Sequence, residues 1–78
     1  MVEIRYFSIL REKLGKNSEE IPFEGTVGQL RDLLKERYPE AKEILSSVRI
    51  AVNEEYVEDS YKISKGDRVA LIPPVSGG

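Results

Sequence analysis

Cysteine and histidine are both absent from this chain of 78 residues. That excludes disulfides, thiolate nucleophiles, thiol-based zinc sites and the commonest general base. It also means that no thiol of the chain itself can attack an activated carboxyl group. A reducing, cytoplasmic setting is compatible with this usage and is the expected location. No run of basic residues marks a site for nucleic acid or anionic lipid, so neither is an expected partner. No apolar run is long enough to cross a bilayer, and the N-terminus lacks a signal-peptide pattern. Internal repeats, linkers and low-complexity blocks are missing as well.

What is there is charged and evenly mixed. Twelve basic and 14 acidic residues give a net charge of −2. Glu and Lys are abundant while Gln, Asn and Met are scarce, a composition that resembles thermophile proteins. The length fits one domain. A chain this short buries only about 60% of its unfolded surface, which leaves a thin core. It has little room for an enclosed ligand pocket of about 300 Å³ or more, so function is expected on the surface or at a terminus.

The last ten residues, Val69-Ala-Leu-Ile-Pro-Pro-Val-Ser-Gly-Gly78, organise the rest. Four apolar residues read as a buried strand, and two prolines stop it. Pro73-Pro74 fix φ and favour an extended spacer. Gly77 and Gly78 have no Cβ and pass through channels too narrow for other residues. The division expected is a folded body over 1–72 and a flexible tail over 73–78, which delivers a terminal carboxylate into another protein's active site. The plain alternative is a frayed terminus, since tails are often small and polar.

Upstream, Val2 to Phe7 alternates as a strand, with Val2, Ile4 and Tyr6 on one face and Glu3, Arg5 and Phe7 on the other. Ser8 reads as the cap of a short helix over Ile9 to Leu14, which Gly15 ends. Glu19 to Phe23 is a second strand, placed at an edge by Pro22. Thr26 and Gln29 have capping-box spacing at the start of the main helix. Val27, Leu30, Leu33, Leu34 and Tyr38 form its apolar stripe, with Arg31, Asp32, Lys35 and Glu36 outside it. The stripe can serve a partner helix, but a domain this small needs it for its own core. Pro39 ends the helix, and a short helical or irregular connection runs to Leu45. Val48 to Val52 is a third strand, Tyr56-Val57 a short fourth. Ser64 to Asp67 is a turn around Gly66, and Arg68 to Ile72 is the final strand.

The first and last strands are the most apolar and are expected side by side in the centre of a mixed sheet of four to five strands. One long helix packs on one face. That α+β arrangement is the β-grasp, or ubiquitin-like, fold. Strand parity sends Val2, Ile4, Ile50, Val52, Val69 and Leu71 towards the helix. Arg5, Phe7, Arg49, Ala51, Ala70 and Ile72 then share the open face. Phe7, Ala70 and Ile72, flanked by Arg5 and Arg49, make a candidate docking patch beside the root of the tail, although scattered exposed apolar residues are ordinary.

Several stretches carry a family resemblance. They are Tyr6-Phe-Ser-Ile-Leu-Arg-Glu-Lys-Leu-Gly15, Thr26-Val-Gly-Gln-Leu-Arg-Asp-Leu-Leu34, Val52-Asn53, and Gly66-Asp-Arg-Val-Ala-Leu-Ile-Pro-Pro-Val-Ser-Gly-Gly78. Together they resemble the MoaD family, the small sulfur-carrier subunits of molybdopterin synthase, across essentially the whole chain. Thiamine sulfur carriers (ThiS) are similar but are usually shorter and end without Pro-Pro. The resemblance implies that a MoeB-like, ubiquitin-activating-type enzyme adenylates Gly78 with ATP and Mg, and that sulfur then replaces the adenylate. The tail would enter a MoaE-like large subunit, in a heterotetramer, and give sulfur to a pterin precursor of the molybdenum cofactor. Gly78 would carry the sulfur, Gly77 and Ser76 thread the channel, and Val75, Pro74 and Pro73 set the reach. The chain itself would bind no cofactor or metal, and the catalytic side chains would belong to the large subunit. Other readings remain: a protein modifier joined through Gly78 to lysines, a carrier for tRNA thiolation or tungsten-cofactor assembly, or a passive β-grasp interaction domain.

Overall fold

The first and last strands pair side by side in the middle of one sheet. The computed structural model describes residues 1–74, so Val75, Ser76, Gly77 and Gly78 lie outside the described residues. In chain order the elements are β1 (Val2–Tyr6), α1 (Ser8–Leu14), β2 (Ser18–Ile21), β3 (Gly25–Thr26) and α2 (Val27–Arg37). A 3-10 turn (Pro39–Ala41), α3 (Lys42–Ser47), β4 (Arg49–Val52), β5 (Glu55–Tyr56), β6 (Lys62–Ile63) and β7 (Arg68–Ile72) follow.

The main sheet has five strands in the order β2-β1-β7-β4-β5, and β3 pairs with β6 in a separate two-stranded ladder. β1 runs parallel to β7 and antiparallel to β2. β7 is therefore hydrogen-bonded on both sides, by β1 and by β4. Period-2 alternation explains which residues fill the core: Val2, Ile4, Tyr6, Ile50, Val52, Val69 and Leu71 are all buried. Val27, Leu30 and Leu34 of α2 join the same cluster, with Leu33 and Tyr38 packed at its margin. The apolar stripe thus serves the chain's own core.

Local signals acted as their chemistry dictates. Thr26 accepts from the Gln29 amide at 3.2 Å while the Gln29 side chain accepts from the Thr26 N–H at 2.8 Å, a complete capping box. Gly15 closes α1 at φ 70°, and Gly66 turns the chain at φ 87°, both left-handed conformations suited to glycine.

Several details differ from the reading of the sequence. Phe7, not Ser8, occupies the N-cap of α1, and no side chain caps it. The chain leaves β1 one residue earlier than the serine signal implies, so the Phe7 carbonyl accepts from Leu10 and Arg11. The second strand covers Ser18–Ile21 and stops before Pro22, which has no N–H to give a ladder. The connection after Pro39 is longer and more regular than expected, because α3 continues to Ser47 and leaves Val48 as its cap. Finally, Arg31 lies off the apolar stripe but is mostly covered, at 15% side-chain exposure. Its guanidinium donates to the carbonyls of Leu45 (2.7 Å) and Val48 (3.0 Å) and pairs with Asp59 at 3.0 Å. Carbonyls at a helix C-terminus have no intrahelical partner, and Arg31 supplies one.

A second polar knot ties β1, β2 and the end of α2. Tyr6 and Tyr38 both donate to Glu19 Oε2, at 2.5 and 2.6 Å, and their rings meet edge to face. The Lys16 ammonium donates to the Tyr38 hydroxyl at 3.0 Å and lies 3.5 Å from Glu19 Oε1. Burial alone pushes the Glu19 carboxyl up. Hydrogen bonds from Tyr38 and Tyr6 and the nearby Lys16 charge outweigh it and hold the group below the ordinary carboxylate range. A depressed folded-state value means stability that is present above the unfolded-state value and lost as pH falls through the folded one. Urea titrations at decreasing pH should therefore show wild type losing stability below the ordinary carboxylate range. Glu19→Gln should lower stability at neutral pH and flatten that acid slope; an unchanged slope would remove Glu19 from the account.

Candidate functional site: the open sheet face and the root of the tail

The face of the sheet turned away from α2 is set by register. Arg5 lies opposite Ser18 on one side and Ala70 on the other. Ala70 faces Ala51, and Ile72 faces Arg49. Phe7 sits just beyond β1 and is 38% exposed. The expected docking residues Arg5, Phe7, Arg49, Ala70 and Ile72 are therefore brought together around the end of β7. Ala51 has the right parity but is only 6% exposed, so it offers no surface. Its neighbour across β4–β5 is Tyr56, and the Arg49 guanidinium lies 4.0 Å from the Tyr56 ring centroid.

Phe7 stands between two clefts. One, of about 210 Å³, is lined by Arg5, Phe7, Glu54, Arg68 and Ala70. The other, of about 250 Å³, is lined by Arg5, Tyr6, Phe7, Arg11 and Asn17. Both are open surface features of modest size. Arg68, Arg11 and Glu54 were not singled out from the sequence. Arg68 shares the parity of Ala70 and was legible by counting; Glu54 was not, because it arrives from a turn.

That turn is built on Asn53 and Glu54, both left-handed, at φ 51° and 74°. Asn53 is locked to the start of β7. Its side chain accepts from the Arg68 N–H and donates to Asp67 Oδ1, both at 3.0 Å, and its N–H donates to the Arg68 carbonyl at 2.8 Å. The backbone on which Arg68 stands is thus fixed from two directions.

The end of β7 is equally defined. β7 ends at Ile72, Pro73 is buried and Pro74 is exposed. The predicted threading residues Val75, Ser76 and Gly77 and the predicted carrier Gly78 lie outside the described residues. Among the described residues no group of His, Cys, Asp and Glu is placed to hold a metal ion. No helix among them is long and apolar enough to cross a membrane. Tyr6, Lys16 and Glu19, whose proton affinities are shifted, lie together in one knot joined by hydrogen bonds through the Tyr38 hydroxyl. The open face carries guanidinium groups, the exposed ring of Phe7 and the exit of a central strand.

Comparison with known proteins places this arrangement. The ThiS family matches residues 4–78. A relative from Emericella nidulans, named molybdopterin synthase sulfur carrier subunit, is 37% identical, covering 97% of this chain and 96% of its own. The structure of a complex between subunits 1 and 2 of molybdopterin-converting factor from Helicobacter pylori contains a chain with a TM-score of 0.75 and 29% identity, covering 99% of this chain and 97% of that one. SAMP1 from Haloferax volcanii has a TM-score of 0.79 at 26% identity, covering 99% of this chain and 98% of that one. These neighbours share the β-grasp architecture of parallel central strands with a helix across them. With nearly its whole length matched, the chain belongs to the ThiS family, alongside relatives named as sulfur carrier subunits of molybdopterin synthase.

Proposed function

We propose that this chain is the sulfur carrier subunit of a molybdopterin synthase. One observation supports it above the others: a central strand paired on both sides ends directly at Pro73-Pro74 and leads into Val75-Ser76-Gly77-Gly78. The best-held part of the fold thereby presents a segment without bulky side chains. On this reading, a MoeB-like adenylating enzyme uses ATP and Mg to join AMP to the Gly78 carboxylate, releasing pyrophosphate. A sulfur donor then displaces AMP and leaves a thiocarboxylate. A free carboxylate is a poor electrophile, so adenylation supplies the leaving group that the exchange needs. Inside a MoaE-like large subunit the thiocarboxylate sulfur forms a C–S bond to the pterin precursor as an oxygen leaving group departs from that carbon, and water then cleaves the acyl–sulfur bond, which leaves sulfur on the pterin and returns the carboxylate. General acids, bases and phosphate stabilisers come from these partners. Two carriers serving two large subunits, in a cytoplasmic heterotetramer, fit a product that needs two sulfurs.

The open face docks the body while the tail reacts. Phe7 supplies the apolar anchor, Ile72 and Ala70 the floor, and Arg5 and Arg49 the rim. Reconstitution tests both claims. Thiocarboxylated chain mixed with the large subunit should convert the pterin precursor to its dithiolene, and no conversion would reject the assignment. Phe7→Glu should weaken large-subunit binding by about 2 kcal/mol or more, as for a central aromatic anchor, with an unchanged unfolding midpoint. Wild-type affinity in that variant would discard the patch.

The likeness to SAMP1 supports a second reading, in which Gly78 is conjugated to lysines of other proteins. It predicts Gly-Gly remnants on lysines in digests of the source cells, and their absence from a sensitive digest would count against it.

A further inference from the structure

The chain is net negative, yet four of its six arginines, Arg5, Arg11, Arg49 and Arg68, surround the open face at Phe7. Their commitments differ. Arg49 is stacked on Tyr56. Arg5 meets Glu3 through Nε at 3.6 Å, which leaves its terminal N–H groups uncommitted in that pair. Arg68 makes no ion pair among the described residues, although Asn53 fixes its backbone. Arg5 and Arg68 stand on neighbouring central strands and line one cleft of about 210 Å³ whose apolar parts are Phe7 and Ala70.

We propose that Arg5 and Arg68 make this cleft a receptor for a carboxylate side chain of the large subunit, so that charge as well as shape selects the cognate partner. The inference rests on the function proposed above and names the chemistry of the partner surface. A guanidinium fork matches a carboxylate in two parallel hydrogen bonds, and the apolar wall lowers the competition from water. Glu54 lines the same cleft, from a position at φ 74° where this kind of turn ordinarily takes glycine. It forms no ion pair with either arginine among the described residues. It therefore acts as a resident negative charge that opposes the incoming carboxylate, and an unmatched acidic surface is held off unless it can reach both arginines.

The test is affinity for the large subunit from the same genome, by titration calorimetry with the full chain at low and high salt. Arg68→Glu and Arg5→Glu should each weaken binding roughly tenfold or more, as for a close interfacial charge pair, and Glu54→Gln should tighten it. Wild-type affinity should fall with added salt, and the Arg68→Glu complex should respond less. Both arginine side chains are exposed, and circular dichroism and urea midpoints check that the variants fold. A merely structural role would not give opposite signs at Arg68 and Glu54. Unchanged affinity in both arginine variants, or weaker binding by Glu54→Gln, overturns the inference and leaves the proposed function standing. Wild-type chain that does not bind the large subunit overturns both.

Discussion

A chain lacking Gly78, or extended by one alanine that cannot be trimmed, should take up no sulfur and support no cofactor synthesis, however stable it is. The reasoning is geometric. One residue of extended chain spans about 3.3–3.6 Å, so either change moves the terminal carboxylate by that distance relative to the docked body. Misplacement by about 1 Å already costs about 10²-fold in a positioned reaction, so a full-residue shift should reduce turnover by more than that. The added alanine brings a Cβ where glycine has none, which closes a narrow channel as well. The body does not change, because the core residues lie between Val2 and Leu71. Urea midpoints should therefore match wild type while adenylation and sulfur uptake vanish. A variant that retains wild-type flux in living cells would show that the terminus is not the working group.

The second large effect is on the handle. Leu71→Ala should cost about 2–5 kcal/mol, the range for removing a buried leucine with partial collapse of the cavity. Leu71 is fully buried, and in register it lies between Tyr6 on β1 and Ile50 on β4. At about 0.05–0.15 kcal/mol per residue, a domain of this size has roughly 4–12 kcal/mol in total, so the loss is a large share of it. Because Leu71 precedes Ile72 and the prolines, the variant should also lose sulfur transfer in proportion to its unfolded fraction. Chemical denaturation measures the first effect, and transfer rates at several temperatures the second. A loss below about 1 kcal/mol would place Leu71 outside a close-packed core.

Both predictions stand on features readable from residue order, because those features are local or periodic. The Thr26–Gln29 cap, the glycine stops at Gly15 and Gly66 and the alternation in β1 and β7 involve neighbours a few positions apart. Pairing of the chain ends was legible because the two most apolar strands need burial on both edges. Long side chains that bridge distant segments were not legible. Arg31 looks like any solvent-facing helix residue until α3 brings the carbonyls of Leu45 and Val48 to it. Glu19 reads as an ordinary edge-strand acid until Tyr6 and Tyr38 converge on it. The β3–β6 ladder is too short to carry a period, and only the burial of Ile63 reveals its purpose. At the site, parity placed Arg5, Arg49, Ala70 and Ile72 together. It overstated Ala51, which is buried, and it missed Glu54, whose position depends on two left-handed residues rather than on alternation.

Beneath all of this is the idea that main chain, not a side chain, does the chemistry. Intact mass spectrometry with fragmentation reads it directly, on wild-type chain incubated with its adenylating enzyme, ATP, Mg and a sulfur source. The expected result is one oxygen exchanged for sulfur, with the change confined to a terminal fragment containing Gly78. An unchanged mass, or sulfur found on any side chain, would contradict the account.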